Sequence, residues 1–247
     1  MTQKAKLLID ADITLFQSCS AAEDEIDWGD DVWSLAVDLK EAKRLVAKAI
    51  DELKVRFETD DVTLCLSDPA GNFRKKLNPD YKSNRKKSRK PVGYAALRQW
   101  LEEEYTTEQR PNLEADDVIG IMATLPKNKD ANVVVISDDK DLKTIPCKLF
   151  RPRSEELTLI TPDIALYQFF YQTLVGDSTD GYKGCPSIGD VKARKILDED
   201  CSWAAVVSAF EKQGLTQDDA LMQARMARIL HYSDWNKDKQ EVAPWAP

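Results

Sequence analysis

Nine acidic residues recur at positions that could do chemistry together: Asp10, Asp68, Glu114, Asp116, Asp117, Asp139, Asp141, Asp177 and Asp180. They sit in the short stretches LLIDAD, CLSD, LEADD, SDDKD and GDSTD. Two like charges about 4 Å apart repel by about 4 kcal/mol at an effective dielectric near 20, so such a set is unstable in one pocket unless something offsets it. Hard divalent cations do so, and carboxylate oxygens suit Mg²⁺ or Mn²⁺. Two ions about 4 Å apart can activate a water and stabilise the leaving oxygen of a phosphodiester, with no histidine or covalent nucleophile needed. For LEADDVIG alone a plainer account exists. Asn112 can cap a helix, and carboxylates in a first turn favour its positive end.

Cations are equally uneven. The net charge is −8, yet residues 74–90, RKKLNPDYKSNRKKSRK, hold nine Lys or Arg and one Asp. A basic block in an acidic chain suits phosphate, and Phe73, Tyr81 and Tyr94 offer stacking faces beside Lys75, Lys76 and Lys86. A second phosphate-directed pattern is GCPSIGDVKARKIL. Gly184 and Gly189 bracket a tight turn with Ser187 inside it, and Lys192 follows in the next helix. Glycines there let backbone N–H groups approach phosphates, as in a helix-hairpin-helix.

The elements that must position these groups follow from hydrophobic pattern. Three short apolar runs, 6–9, 62–66 and 132–136, read as buried parallel strands, each ending in acid. Leu35, Leu39, Ala42, Val46, Ala49 and Leu53 form one stripe of a helix between the first two. The order strand, helix, strand indicates an α/β fold with a mostly parallel central sheet flanked by helices, whose ligands bind beyond the strands' carboxyl ends. On a helix Glu114 and Asp117 share a face and Asp116 turns aside. After residue 147 the pattern reads as helical: Thr161-Pro162 starts a helix with Ile164, Tyr167, Tyr171 and Leu174 as its stripe, and helices over 203–213 and 218–232 follow, the last capped by Thr216. The expected division is an α/β core, 1–165, carrying a basic arch, 72–95, and a helical region, 166–247, with the hairpin at 176–197.

The one histidine, His231, lies in the helical pattern MARILHYSDW, so two-histidine metal sites are excluded and a Ser-His-Asp triad is disfavoured. Five widely spaced cysteines form no CxxC pair. The first residues lack the apolar stretch of a signal peptide, and no run of about 18 apolar residues exists, so a cytoplasmic monomer with no membrane contact is expected.

The motifs LLIDAD, SDPAGNFRKKLNPDYKSNR, LEADDVIG, SDDKDL and GDSTDG, then the glycine hairpin, resemble in this order the 5′-nuclease or flap-endonuclease-like family, nearest its phage 5′→3′ exonucleases of the short-tailed T-odd type. The resemblance implies a PIN-like 5′-nuclease fold and two Mg²⁺ ions, with Mn²⁺ substituting. It makes Asp10, Asp68, Glu114, Asp116, Asp117, Asp139, Asp141, Asp177 and Asp180 the metal-binding acids. It makes Arg74, Lys82 and Arg85 the basic residues that act on the scissile phosphate, and 184–189 a duplex-binding hairpin that also holds K⁺. It implies duplex or 5′-flap DNA, and RNA–DNA hybrids, as substrates. Asp12 and Asp138 have no role in that pattern. Two other readings exist. In a haloacid-dehalogenase-like phosphatase Asp10 would be a nucleophile and Asp12 its acid/base, leaving LEADD and the basic block unexplained. A nucleic-acid binder without catalysis would gain nothing from acids facing phosphate.

Overall fold

The computed structural model describes residues 4–83, 89–128 and 131–247. Strand β1 (Lys6–Asp10) runs directly into α1 (Ala11–Ala21), then a hairpin of β2 (Glu23–Asp27) and β3 (Trp33–Val37), then α2 (Leu39–Arg56). Next come β4 (Val62–Leu66), the single-turn α3 (Arg74–Leu77), α4 (Tyr94–Glu104) and β5 (Thr107–Gln109). Helix α5 (Ala115–Ala123) leads to β6 (Val133–Ile136), β7 (Cys147–Arg151) and β8 (Glu156–Ile160). Four helices follow, α6 (Pro162–Val175), α7 (Asp190–Glu199), α8 (Trp203–Glu211) and α9 (Gln217–Ala227), and a small hairpin of β9 (Trp235–Asn236) and β10 (Glu241–Val242).

The main sheet has the order β5-β4-β1-β6-β7-β8. All its pairings are parallel except β7 with β8. Ile9 of β1 lies opposite Leu64 of β4 on one side and Ile136 of β6 on the other. The chain first builds outward through β4 to β5, then crosses back to β6, so the direction of winding reverses at β1. That reversal opens a crevice at the carboxyl ends of β4, β1 and β6, where Ser67, Asp10 and Ser137 emerge side by side.

Both faces of the sheet are covered, which is why its central strands are continuously apolar. Leu7, Ile9, Leu64, Leu66, Val134 and Ile136 pack under α1, α2 and α4, whereas Leu8, Cys65, Val133 and Val135 pack under α5. Fully burying each of Leu7, Leu8 and Ile9 contributes about 1.5–3 kcal/mol. A third core joins α6 to α9, built on Phe169, Phe170, Leu174, Leu197 and Phe210, with Tyr81 of the basic segment inserted into it.

Several local expectations need correction. Leu35 belongs to β3, and the helix begins at Leu39 behind Asp38, whose side chain accepts from the Glu41 N–H; Ile50, not Ala49, completes the buried stripe. Asn112 does not cap α5. It takes a left-handed turn (φ 58°), and Glu114 caps the helix in a reciprocal box with Asp117. The chain beyond 147 forms the β7–β8 pair before it turns helical, because Leu149 and Phe150 still need the sheet's core. Thr161 and Pro162 do start α6, but its buried face is Ala165, Phe169, Phe170 and Thr173, with Leu174 the one expected residue on it and Ile164 exposed. Thr216 caps α9 as expected, yet that helix ends at Ala227 and His231 stands in the following turn. Among the described residues no helix is long and apolar enough to cross a membrane.

Candidate metal and nucleic-acid site

A cavity of about 300 Å³ occupies the crevice, lined by Asp10, Asp12, Glu114, Asp116, Asp139, Asp141, Asp177 and Asp180 together with Lys82 and Lys140. Asp10 comes from the end of β1, Glu114 and Asp116 from the start of α5, Asp139 and Asp141 from the turn after β6, and Asp177 and Asp180 from the turn after α6. Seven of the nine acids singled out by sequence thus converge. Asp12 joins them, held by the Ser67 N–H at 3.1 Å and the Tyr94 hydroxyl at 3.1 Å. Its position two residues past Asp10, in the first turn of the helix that follows the strand, was the signal available.

The charge distribution is divided. Desolvation, then the nearby Asp12, pushes the Asp10 carboxyl up to about 7. Burial and the Asp139 charge push Asp141 up to about 7 as well. Asp116 is held well above the ordinary carboxylate range by desolvation, Asp139 and Asp10. Glu114 goes the other way. Burial alone would raise it, but Lys82 and Arg74 outweigh that and hold it at about 2. Lys82 Nζ sits 2.5 Å from Glu114 Oε1 and 3.6 Å from Asp180, and Lys140 Nζ sits 3.1 Å from Asp177. The Asp10, Asp116, Asp141 side of the pocket is therefore a site of excess negative charge with few cations of its own.

The chemistry of that side fits divalent cations. The donors are all oxygen, and the buried Asp10 Oδ1 has no hydrogen-bond partner among the described residues. Among the described residues no three carboxylates already close on a single coordination point. Ions there would be held partly through water, as Mg²⁺ prefers.

A carboxyl raised in the folded state favours folding below its unfolded pKa near 3.9 and loses that contribution as pH rises through its folded pKa near 7. Metal-free protein therefore loses stability across pH 4–7 from Asp10 and Asp141. His231 acts oppositely, since burial, then Arg228, lowers it to about 4. Comparing Mg²⁺ with chelator at each pH cancels the histidine. Saturating Mg²⁺ is expected to raise Tm by roughly 5–10 °C at pH 8 and by much less at pH 5, read by thermal unfolding. An equal shift at both values would mean that these carboxyls do not meet the ion.

Two expected metal acids stand outside the pocket. Asp68 closes its own turn, accepting from the Ala70 and Asn112 N–H groups at 2.9 and 2.7 Å. Asp117, in the first turn of α5, is fully buried and bound through both oxygens to Arg74 at 2.7 and 2.8 Å. Arg74 is itself 3% exposed. It also donates to the Met226 and Arg228 carbonyls and to Glu114, so no donor faces a substrate. It positions Glu114 and does not grip phosphate. Asp138 also turns away, accepting from the Arg153 N–H.

The expected nucleic-acid contacts divide similarly. Tyr81 cannot stack on a base: it is buried, and its hydroxyl donates to Glu114 at 2.7 Å. Tyr94 is buried likewise. Gly184 is a packing glycine whose Cβ would lie 2.4 Å from the Gly176 nitrogen, and its own N–H donates to Gln223. Gly189 and Ser187 are exposed at the start of α7, where Lys192 Nζ donates to the Ser187 carbonyl. Lys75 and Lys76 are exposed on α3. Arg85 and Lys86 lie outside the described residues.

This site and fold define a known class. Residues 6–170 match the 5′–3′ exonuclease N-terminal, resolvase-like domain, and the chain belongs to the 5′–3′ exonuclease family of nucleases. It is 31% identical to the exodeoxyribonuclease of Enterobacteria phage T3, over 99% of this chain and 93% of that protein, and 31% identical to the exonuclease of Escherichia phage T7, over 99% and 94%. Its fold is similar to that of the T5 D15 protein co-crystallised with metal ions, with TM-score 0.66 at 15% identity over 90% of this chain and 88% of that one. Flap endonucleases of Shewanella also match, one at 28% identity over 65% of this chain and 67% of that protein. The phosphatase reading of LLIDAD is set aside by this membership.

Proposed function

We propose that the chain is a divalent-metal-dependent 5′→3′ exonuclease that hydrolyses duplex or 5′-flapped DNA, and the RNA strand of RNA–DNA hybrids, acting as a monomer. The observation that carries this is the pocket itself, where seven of the acids from four separate parts of the chain converge beside Lys82 of the basic segment. Two Mg²⁺ ions, with Mn²⁺ able to substitute, would be held by Asp10, Asp116, Asp139 and Asp141 on one side and by Asp177 and Asp180 on the other. When bound they supply the charge that activates water and neutralises the phosphodiester.

The chain's own residues do the rest. Lys82, presented from a left-handed turn (φ 52°), carries its ammonium to the acids' edge, where it can move from Glu114 to a phosphate oxygen. Tyr81 and Arg74 fix Glu114 from behind. Arg85, Lys86, Lys75 and Lys76 bind the backbone without reading sequence. The exposed N-terminus of α7, with Gly189, Ser187 and Lys192, contacts the duplex further along, and the 184–189 turn is where K⁺ would be held by carbonyls. The structures of the T5 5′-exonuclease with zinc and of its flap endonuclease with DNA and metal ions support this reading.

The test is a digest of 5′-labelled and 3′-labelled duplexes with Mg²⁺ and with chelator. Early release of label from the 5′ end alone, abolished by chelator, is expected. Release from the 3′ end first, or cleavage in chelator, overturns the proposal.

A further inference from the structure

Behind the ion pair of Arg74 and Asp117, on the side away from the acids, lies a second cavity of about 240 Å³ between α3, α9 and the C-terminal β9–β10 hairpin. Its walls are unlike those of the acidic pocket. Phe73 and Trp245 supply aromatic surface. Asn112 and Gln240 line it with amides whose side chains make no hydrogen bond among the described residues. Arg225 donates through Nε to the Trp245 carbonyl at 3.1 Å, which holds the guanidinium at the cavity and leaves both terminal nitrogens unpaired among the described residues. Lys76 adds a second ammonium with no partner among those residues.

Aromatic walls, two amides and three cations, Lys76, Arg225 and the Asp234-paired Arg228, against one lining carboxylate, Glu241, together match a flat heteroaromatic group that carries an anion. The amides can meet the hydrogen-bonding edge of a base, and a guanidinium fork suits a phosphate monoester. We propose that this cavity binds a deoxynucleoside 5′-monophosphate. The identity of the ligand rests on the nuclease reading, since 5′→3′ hydrolysis would release that species nearby; the cavity's chemistry does not. Its floor touches the machinery, because Arg74 donates to the Met226 and Arg228 carbonyls on the segment that carries Arg225. Arg74 does not itself line the cavity; it is linked to it only through these two carbonyls.

Binding is measured calorimetrically in chelator, where the acidic pocket repels phosphate, and the Arg225 variants separate the second cavity from the exposed lysines that also meet phosphate. The probes are dTMP, thymidine and inorganic phosphate. dTMP is expected to bind with a Kd on the order of 0.1 mM, and thymidine and phosphate each at least about 10-fold more weakly. Arg225→Ala is expected to weaken dTMP about 10-fold or more while leaving cleavage of labelled duplex unchanged, and Arg225→Lys to recover part of the affinity. An unchanged Kd in a folded Arg225→Ala protein, or phosphate binding as well as dTMP, overturns the proposal. Because this readout needs neither metal nor turnover, its failure and a failure of the nuclease reading are separately visible.

Discussion

Replacing Arg74 with Met is expected to destabilise the fold by about 3–5 kcal/mol, a fall in Tm of roughly 6–20 °C. The guanidinium meets Asp117 through two bonds at 2.7 and 2.8 Å, and Asp117 has no exposure to water. Removing the cation leaves the Asp117 carboxyl group of α5 buried without that partner. Its remaining partners are the Leu230 N–H at 3.2 Å and the Glu114 N–H at 3.4 Å, too little to replace a guanidinium. The Met226 and Arg228 carbonyls lose their donor at the same stroke. The double variant Arg74→Met with Asp117→Leu is expected to recover most of the loss, because a buried pair is often matched by apolar residues of similar volume. Urea unfolding of the four proteins of this cycle measures it. A loss below about 1 kcal/mol in Arg74→Met would show that water reaches the pair. Unchanged stability with lost turnover would return Arg74 to the phosphate.

Asp116→Asn is expected to do the opposite. Cleavage should fall by about 10³-fold or more, since a bound divalent ion contributes several kcal/mol to the transition state and each 1.36 kcal/mol is a factor of ten. The metal-free protein should nevertheless gain stability at pH 8. Asp116 is held above the carboxylate range by desolvation and by Asp139 and Asp10, so ionising it works against folding, and an amide removes that cost. Initial rates on labelled duplex and Tm in chelator give the two readouts. A lower Tm in chelator with turnover intact would make Asp116 a structural residue and the pocket something other than a metal site.

The sheet's centre was legible because burial on both faces leaves a short apolar run with acid at its end, and 6–9, 62–66 and 132–136 all carry that mark. The edge strands β5 and β8 were not, since they are short, half-polar and stabilised by neighbours far along the chain. The β2–β3 hairpin escaped because its apolar residues, among them Trp28, Trp33 and Leu35, are exposed, and Leu35 happens to fall in phase with the helix behind it. Among the site residues, sequence brought seven acids to one place correctly through topology. It separated Asp116 from Asp117 the wrong way round: helical phase sets Asp117 on Glu114's face with Asp116 turned aside, whereas Asp116 lines the pocket with Glu114 and Asp117 is buried against Arg74, because Glu114 is an extended cap residue outside the helical repeat. Adjacent residues of a helix point about 100° apart, and which one faces the crevice depends on where Arg74 lies. Tyr81 was misassigned for a related reason: an aromatic among lysines looks like a stacking face until the third core, built from helices about a hundred residues later, claims it.

Both ends of the basic segment are fastened to the body of the protein. On one side Tyr81 is sunk among the helices and Lys82 is tied to Glu114; on the other Arg89 pairs with Glu23 and Tyr94 reaches Asp12. A substitution that loosened either anchorage would shift Lys82 or Asp12 against the acids, so changes made at these two ends carry into the pocket itself.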